Sequence, residues 1–229
     1  MSKLLTALSI LLGSVSWVAL GQSQVFFKVD DPLNRNTVHF RTTAPLEDIV
    51  GTSHQVKGEI RVDPDDLSKN PQAHFEVDMA SLDTGIQLRN THLQEQFLDV
   101  ARYPNAVFTL EKILQTPGQA LQPDTPLRLN VEGSFDLHGV HKKLTATVTV
   151  TYLKASPLTQ FKLPGNLLRI NGQFEMLLSD YNIFIPKMFF TSVGDVVRVN
   201  LDLFATDADA LAMSRWIERV RKGPRGEHP

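Results

Sequence analysis

The sequence predicts an all-β protein, an antiparallel sandwich or barrel with a short inserted helix and a C-terminal helix. Three observations lead to this fold class: apolar and polar residues alternate over many short stretches, turn-forming residues separate those stretches, and helical spacing is confined to two segments. The 229 residues, 42% of them hydrophobic and 21% charged, are enough for one domain with a buried core.

The alternation is clearest between Leu127 and Leu137, where every second residue is apolar or glycine and the residues between are polar. Successive side chains of a strand point to opposite faces, so this pattern predicts a strand with one buried face and one solvated face. Turn residues such as Asp63-Pro64-Asp65-Asp66 and His138-Gly139 end the stretches. The other alternating stretches cover residues 56–62, 75–79, 106–110, 144–152, 168–176 and 197–203.

Residues 86–100 have helical spacing, with Ile86, Leu93, Phe97 and Val100 placed among polar residues. This segment predicts a short amphipathic helix between strands, preceded by capping and turn residues at 81–85.

A second helix is expected to begin near Asp207, with Asp207 and Asp209 in its first turn. The cations near its end suit the negative end of the helix dipole. Its predicted apolar contacts are Leu211, Trp216, Ile217 and Val220, and its basic residues are Arg215, Arg219, Arg221, Lys222 and Arg225. We expect this helix to dock on the domain, or to make a transient contact with anionic lipid headgroups through its basic end.

The first 21 residues predict a secretory signal peptide. Lys3 precedes an apolar run that begins at Leu4, and Ala19 and Gly21 supply small residues at the cleavage site. An uncleaved membrane anchor is the alternative. The expected organisation is a signal peptide at 1–21, a β-domain at 22–206 and a C-terminal helix with a basic tail at 207–229, in a periplasmic or secreted protein. The sequence has no cysteine, so no disulfide stabilises the domain.

Composition argues against two classes of protein. A net charge of −2 lacks the basic field that nucleic-acid binding requires, so nucleic acid is not an expected partner. An outer-membrane barrel needs aromatic girdles, but Trp17 falls in the signal peptide, Trp216 falls in the terminal helix, and the chain has three tyrosines. The alternating strands therefore predict a water-soluble domain with apolar residues inside.

The sequence contains no common catalytic signature, such as G-x-S-x-G, H-E-x-x-H or a phosphate-binding glycine loop. His138 and His141, with Asp136, are too few ligands for a good zinc signal. The acidic turn at 63–66 lacks the alternating ligands of a calcium loop. We expect no catalytic residue, no metal and no cofactor.

Several motifs, in order, resemble the YceI-like family of bacterial lipid-binding proteins. They occur at 81–85 (SLDTG), 89–93 (RNTHL), 97–100 (FLDV), 103–108 (YPNAVF), 133–142 (GSFDLHGVHK), 179–183 (SDYNI) and 193–197 (VGDVV). The resemblance covers residues 25–205. Three positions depart from it: Asn90 replaces an acid, His141 replaces a threonine, and Leu178 replaces an arginine that would be a candidate contact for a charged headgroup.

The resemblance implies one eight-stranded, lipocalin-like antiparallel barrel whose interior holds a polyisoprenoid lipid, such as a prenylquinone or a prenyl phosphate. The expected function is to bind, store or carry this lipid in the bacterial cell envelope. The predicted ligand-binding residues are Phe75, Val77, Met79, His92, Leu93, Phe97, Phe108, Leu129, Val131, Phe135, Val148, Val150, Ile170, Phe174, Val199 and Leu201.

Two alternative functions stay open at this point. Eight strands enclose a space that side chains can fill or that one slender ligand can occupy, so a filled barrel serving as a stress-response or interaction module is one alternative. An enzyme acting on an isoprenoid lipid, with Arg89, His92 and Asp99 near the barrel mouth, is another. His92 on the inserted helix is otherwise interpreted as a buried, hydrogen-bonded histidine. The sequence also leaves open a homodimer.

Overall fold

The computed structural model describes residues 24–43, 47–114, 119–185 and 194–222. The predicted signal peptide and residues 223–229 of the basic tail lie outside the described residues. The strands are β1 Val25–Val29, β2 Thr37–Thr43, β3 Asp48–Ser53, β4 Val56–Val62, β5 Gln72–Asp78, β6 Asn105–Leu114, β7 Leu127–Leu137, β8 Val140–Leu153, β9 Leu167–Leu177 and β10 Val196–Thr206. The helices are α1 Gln87–His92, which continues as a π-helical turn over Leu93–Phe97, and α2 Ala210–Lys222. Single 3-10 turns cover Met79–Ser81, Thr159–Phe161 and Ser179–Tyr181.

Eight antiparallel strands form a closed barrel in the order β1-β4-β5-β6-β7-β8-β9-β10, and the pairing of Lys28 with Thr206 joins β1 to β10. The hairpin of β2 and β3 adds two further strands, because β2 pairs with residues 197–202 of β10. The predicted all-β, eight-stranded lipocalin-like barrel with an inserted helix and a C-terminal helix is confirmed. The two additional strands were not predicted.

Asn36 bridges the interval between β1 and β2, which pair with different parts of the same edge of β10. Its side-chain carbonyl accepts the backbone N–H of Phe204 at 2.8 Å, and its amide donates to the Phe204 carbonyl at 3.5 Å. Asn36 is 1% exposed. A buried side-chain amide therefore bonds both backbone groups of Phe204, on the edge of β10 where neither β1 nor β2 pairs with it.

Residues that alternate in the sequence point alternately into the barrel and toward solvent. In β7, Leu129, Val131, Phe135 and Leu137 are buried, and Asn130 between the first two is exposed. Met79 is the exception to the expected strand pattern, because it lies in a 3-10 turn just after β5. The Asp78 carboxylate caps that turn by accepting the backbone N–H of Ala80 at 2.9 Å.

The inserted helix is shorter and less regular than expected. The α-helical part ends at His92, and the N–H of Leu98 bonds the carbonyl of Leu93, five residues back. The expectation that Ile86 packs inward is wrong: it precedes the first helical turn and is exposed, and the buried apolar residue of this segment is Leu98.

Helix α2 begins at Ala210 and not at Asp207 as expected. Asp209 caps it by accepting the N–H of Ala212, and the Asp207 carboxylate is bonded by Asn166 of the β8–β9 loop instead. The helix docks on the barrel through Trp216 and Ile217, whereas Leu211 and Val220 are exposed. Within the described residues, no helix has the length and apolar character that crossing a membrane would require.

The barrel has two ends of different construction. At the closed end, where β4 and β10 finish, Leu67 and Leu121 are buried and cover the interior. Two backbone bonds join their loops, from the Leu67 N–H to the carbonyl of Gln119 and from the Leu121 N–H to the carbonyl of Pro64. Helix α2 packs on Leu163 and Leu167 at this same end. The open end, where β5 finishes and β10 begins, carries α1, Glu47 and the segment that follows β9.

Candidate functional site

A cavity of about 410 Å³ occupies the barrel interior. It extends from Leu67 and Leu121 at the closed end to residues of α1 at the open end, so the interior is not filled by its own side chains. The volume lies in the usual range of small-molecule sites. The described lining residues are apolar except for Thr42, Glu47, Thr84, Arg89 and His92.

Two aromatic side chains of the lining lie against glycines of the neighbouring strand. Phe40 pairs with Gly51, and Phe75 pairs with Gly58. A Cβ atom on Gly51 would lie 2.2 Å from Cε1 of Phe40, and one on Gly58 would lie 2.7 Å from Cδ1 of Phe75. Since neither glycine carries a side chain, each ring occupies space against the wall that a Cβ would otherwise take.

All sixteen residues predicted to bind ligand line this cavity. That they touch a ligand stays a prediction. The structure adds lining residues that the sequence did not single out, among them Val38 and Phe40 of β2 and Val56 and Ile60 of β4. The alternation of β4 carried a usable signal, because Val56, Gly58, Ile60 and Val62 share its inward face.

Polar groups of the lining gather at the open end. The Arg89 guanidinium lies 3.3 Å from the Glu47 carboxylate, and both residues line the cavity with Thr84 and His92. About a quarter of the Arg89 side chain is exposed. His92 is half-buried and not buried as expected, because its helix sits over the opening. Glu47 was missed, since it stands in a loop without periodicity.

Asn90 fastens the loop before α1. Its Nδ2 donates to the Asp83 carboxylate at 2.7 Å, and its Oδ1 accepts the backbone N–H and the hydroxyl of Thr84. The Asn90 amide and the Gly85 N–H hold the pKa of Asp83 below its usual value. This departure from the family pattern therefore positions Thr84 at the mouth.

The motif residues near the end of the chain fasten the opposite side of the opening. The Asp195 carboxylate accepts the backbone N–H of Ser179 at 2.7 Å and its hydroxyl at 2.6 Å. His138 in the β7–β8 turn contacts the carbonyl of Tyr181 at 3.1 Å. Tyr181 packs beneath the segment against the ring of Phe135, at 5.6 Å between ring centroids. These residues hold the loop that borders the cavity.

The other polar residues considered from the sequence are His138, His141 and the acidic turn at 63–66, and they bond to different partners. His141 contacts Asp136, whereas His138 turns toward Tyr181. The Asp63 carboxylate accepts the Lys69 ammonium at 3.0 Å. Within the part of the chain that the structure describes, no group of three or more His, Asp or Glu residues is placed to hold a metal ion. Arg89 and His92 line the cavity and Asp99 does not, so the three residues of the enzyme alternative do not share one site.

Several solved structures have this fold, and three are compared with this chain. BcnA of Burkholderia cenocepacia is 21% identical with a TM-score of 0.58, and the match covers 77% of this chain and all of that one. A polyisoprenoid-binding domain from Saccharophagus degradans, implicated in plant cell wall breakdown, is 16% identical with a TM-score of 0.61, over 80% and 98% of the two chains. The YceI protein of Campylobacter jejuni is 17% identical with a TM-score of 0.56, over 71% and 87%.

A comparison with curated proteins finds no match. Residues 22–205 match the family described as the YceI-like domain, a span that includes the barrel strands apart from the last residue of β10, Thr206, and excludes α2. The match over most of the chain, the motifs placed around the opening, and the barrel itself agree, and the chain belongs to the YceI-like family.

Proposed function

We propose that this protein binds a long-chain isoprenoid lipid, such as a prenylquinone or a prenyl phosphate, and carries or stores it in the bacterial cell envelope. The observation that carries the proposal is the cavity, whose lining is apolar along the barrel and polar at one end. A prenyl chain gains about 25 cal/mol per Å² of apolar surface removed from water, so an apolar lining is enough to bind it. The Saccharophagus neighbour is a polyisoprenoid-binding domain, which supports the cargo class.

In the proposed complex the prenyl chain of the lipid lies along the sixteen predicted residues, and the headgroup of the lipid lies at the open end. Arg89, His92 and Thr84 offer polar contacts there, and Leu67 and Leu121 close the other end. The envelope location rests on the predicted signal peptide at 1–21. In this proposal the protein binds its cargo without chemical turnover.

Organic extraction of the purified protein, followed by mass spectrometry, tests the cargo. Recovery of a stoichiometric prenyl lipid is expected. If no lipid is recovered and added prenylquinone is not taken up, the proposal is wrong.

A matched pair of variants locates the cargo in the cavity. Val148 lines the cavity at the middle of β8, and Thr145 of the same strand is exposed. Val148→Trp should abolish uptake of prenylquinone with the β-sheet circular dichroism retained, and Thr145→Trp should leave uptake unchanged. Equal uptake by both variants would place the lipid elsewhere.

A further inference from the structure

Large apolar side chains are exposed at the open end of the barrel, and three of them stand outside the strands. Leu88 of α1 is 66% exposed, Ile86 just before it is 48% exposed, and Phe184 in the segment after β9 is 70% exposed. We call these three residues the apolar rim.

The apolar rim lies on the two segments that border the cavity mouth. Leu88 directly precedes Arg89, which lines the cavity, and Phe184 stands between the lining residues Ile183 and Ile185. At Phe184, apolar surface thus continues from the interior of the barrel to its outside, and Leu88 lies one residue from the lining.

We propose that the apolar rim inserts into the surface of a lipid bilayer, so that the cavity mouth receives its cargo directly from the membrane. This inference rests on the proposed function. A prenyl chain that left a bilayer through water would expose its whole apolar surface, at about 25 cal/mol per Å². A mouth whose rim is immersed among the lipids avoids that exposure.

The basic residues of α2 are the competing membrane contact, and they belong to the opposite end. Helix α2 docks on Leu163 and Leu167, where β9 begins, whereas the mouth lies beyond the end of β9. A strand of 11 residues spans roughly 36 Å at about 3.3 Å per residue. A bilayer that touches the mouth and one that touches this docking site therefore lie against different ends of the barrel.

The test is transfer of a prenylquinone from neutral phosphatidylcholine vesicles to the full-length protein. Leu88→Ser with Phe184→Ser should slow transfer about ten- to hundredfold, because two large apolar side chains no longer enter the bilayer. Affinity for the same quinone dispersed in detergent should stay within about twofold. The matched control is Leu211→Ser with Phe161→Ser at the closed end, where these residues are 59% and 82% exposed, and it should transfer at the wild-type rate.

Flotation with cargo-free vesicles gives a second measurement that does not depend on the quinone. Wild type should float with neutral vesicles at high salt, and the rim variant should not. Normal flotation and transfer by the rim variant would overturn the inference. So would a requirement for anionic phosphatidylglycerol that Arg219→Ser with Lys222→Ser removes, since that is the behaviour of a contact through α2.

Two further outcomes are separable. A wild-type dimer in analytical ultracentrifugation that the rim substitutions convert to monomer would assign the rim to a second copy of the chain and overturn the inference. If wild type takes up no quinone even from detergent, the proposed function fails, and flotation still decides whether the rim binds a bilayer.

Discussion

The two ends of the barrel are built for different tasks. At the closed end, Leu67 and Leu121 are buried and cover the interior, and Trp216 is 2% exposed with its Nε1–H donating to the carbonyl of Gln160 at 2.7 Å. At the open end, Leu88 and Phe184 are exposed, beside the polar residues of the lining.

The difference teaches that access to the cavity, and not packing, distinguishes the two ends. Both ends bury large side chains, since Trp216 at the closed end is 2% exposed and Tyr181 at the open end is 3% exposed. Trp216 does not line the cavity, whereas Glu47 and Arg89 at the open end do. Substitution of Trp216 should therefore change the free energy of unfolding, and substitution of the polar residues at the open end should change binding.

The largest expected effect is on stability at the closed end. Trp216→Ala should lower the free energy of unfolding by about 3–5 kcal/mol, because a buried ring is lost. Leu211→Ala on the same helix, where the side chain is 59% exposed, should cost less than about 0.5 kcal/mol. Urea denaturation measures both. Affinity of the folded protein for prenylquinone should not change in either variant, and a parallel loss of affinity would show that the two ends are coupled.

The next effect is on the shape of the cavity. Gly51→Ala should displace the ring of Phe40 from the wall toward the lumen, because the new Cβ meets no other group as closely. Such overpacking typically costs about 1–3 kcal/mol, and binding of prenylquinone should weaken with it. Adding Phe40→Leu to Gly51→Ala should restore binding, measured by titration with the quinone. If the double variant binds no better, the ring is not the obstacle.

A smaller effect depends on pH at the loop before α1. In wild type the lowered pKa of Asp83 contributes stability above the unfolded pKa, and this contribution is lost as the pH falls through the folded pKa. Asn90→Asp replaces the donating amide with a second carboxylate and raises the pKa of Asp83. The melting temperature of the variant should therefore fall below that of wild type at pH 7, and the difference should shrink toward pH 3. A difference in melting temperature that is constant with pH would exclude repulsion between Asp83 and the new carboxylate at position 90 as its cause.

The smallest effect concerns headgroup charge at the open end. Glu47 lies 3.3 Å from Arg89 and opposes an anionic headgroup placed beside that cation. Glu47→Gln should improve affinity for a prenyl phosphate roughly three- to tenfold and leave an uncharged prenylquinone unchanged, since both residues are partly exposed and solvent screens them. Equal changes for the two lipids would mean that Glu47 does not sense the headgroup.

The sequence predicted the second half of the barrel better than the first. Strands β7 to β10 have 11 to 14 residues and long alternation, and each was anticipated. Strands β1, β2 and β3 were missed because apolar and polar residues do not alternate clearly over their 5 to 7 residues, whereas β4, with seven residues, alternates throughout. The hairpin of β2 and β3 is fixed by pairing with β10, a contact between residues distant in sequence.

The residues of the candidate site were likewise predictable only where the local sequence has a pattern. The inward residues of the long strands followed from period two, and Arg89 and His92 stood in recognised motifs. Glu47 has no local pattern, and its approach to Arg89 depends on how the β2–β3 hairpin folds toward α1. The prediction placed Ile86 in the inserted helix because its spacing is helical, but the helix begins one residue later.

The interruption between β1 and β2 provides a surface for α2 outside the barrel wall. Asn36 completes the hydrogen bonding of Phe204, so the chain at 30–35 is free to leave the wall without opening it. In that excursion Arg35 is held by Asp31 and lies 5.5 Å from the ring of Trp216. Helix α2 thus contacts the segment between β1 and β2 as well as Leu163 and Leu167, and none of these contact residues lines the cavity.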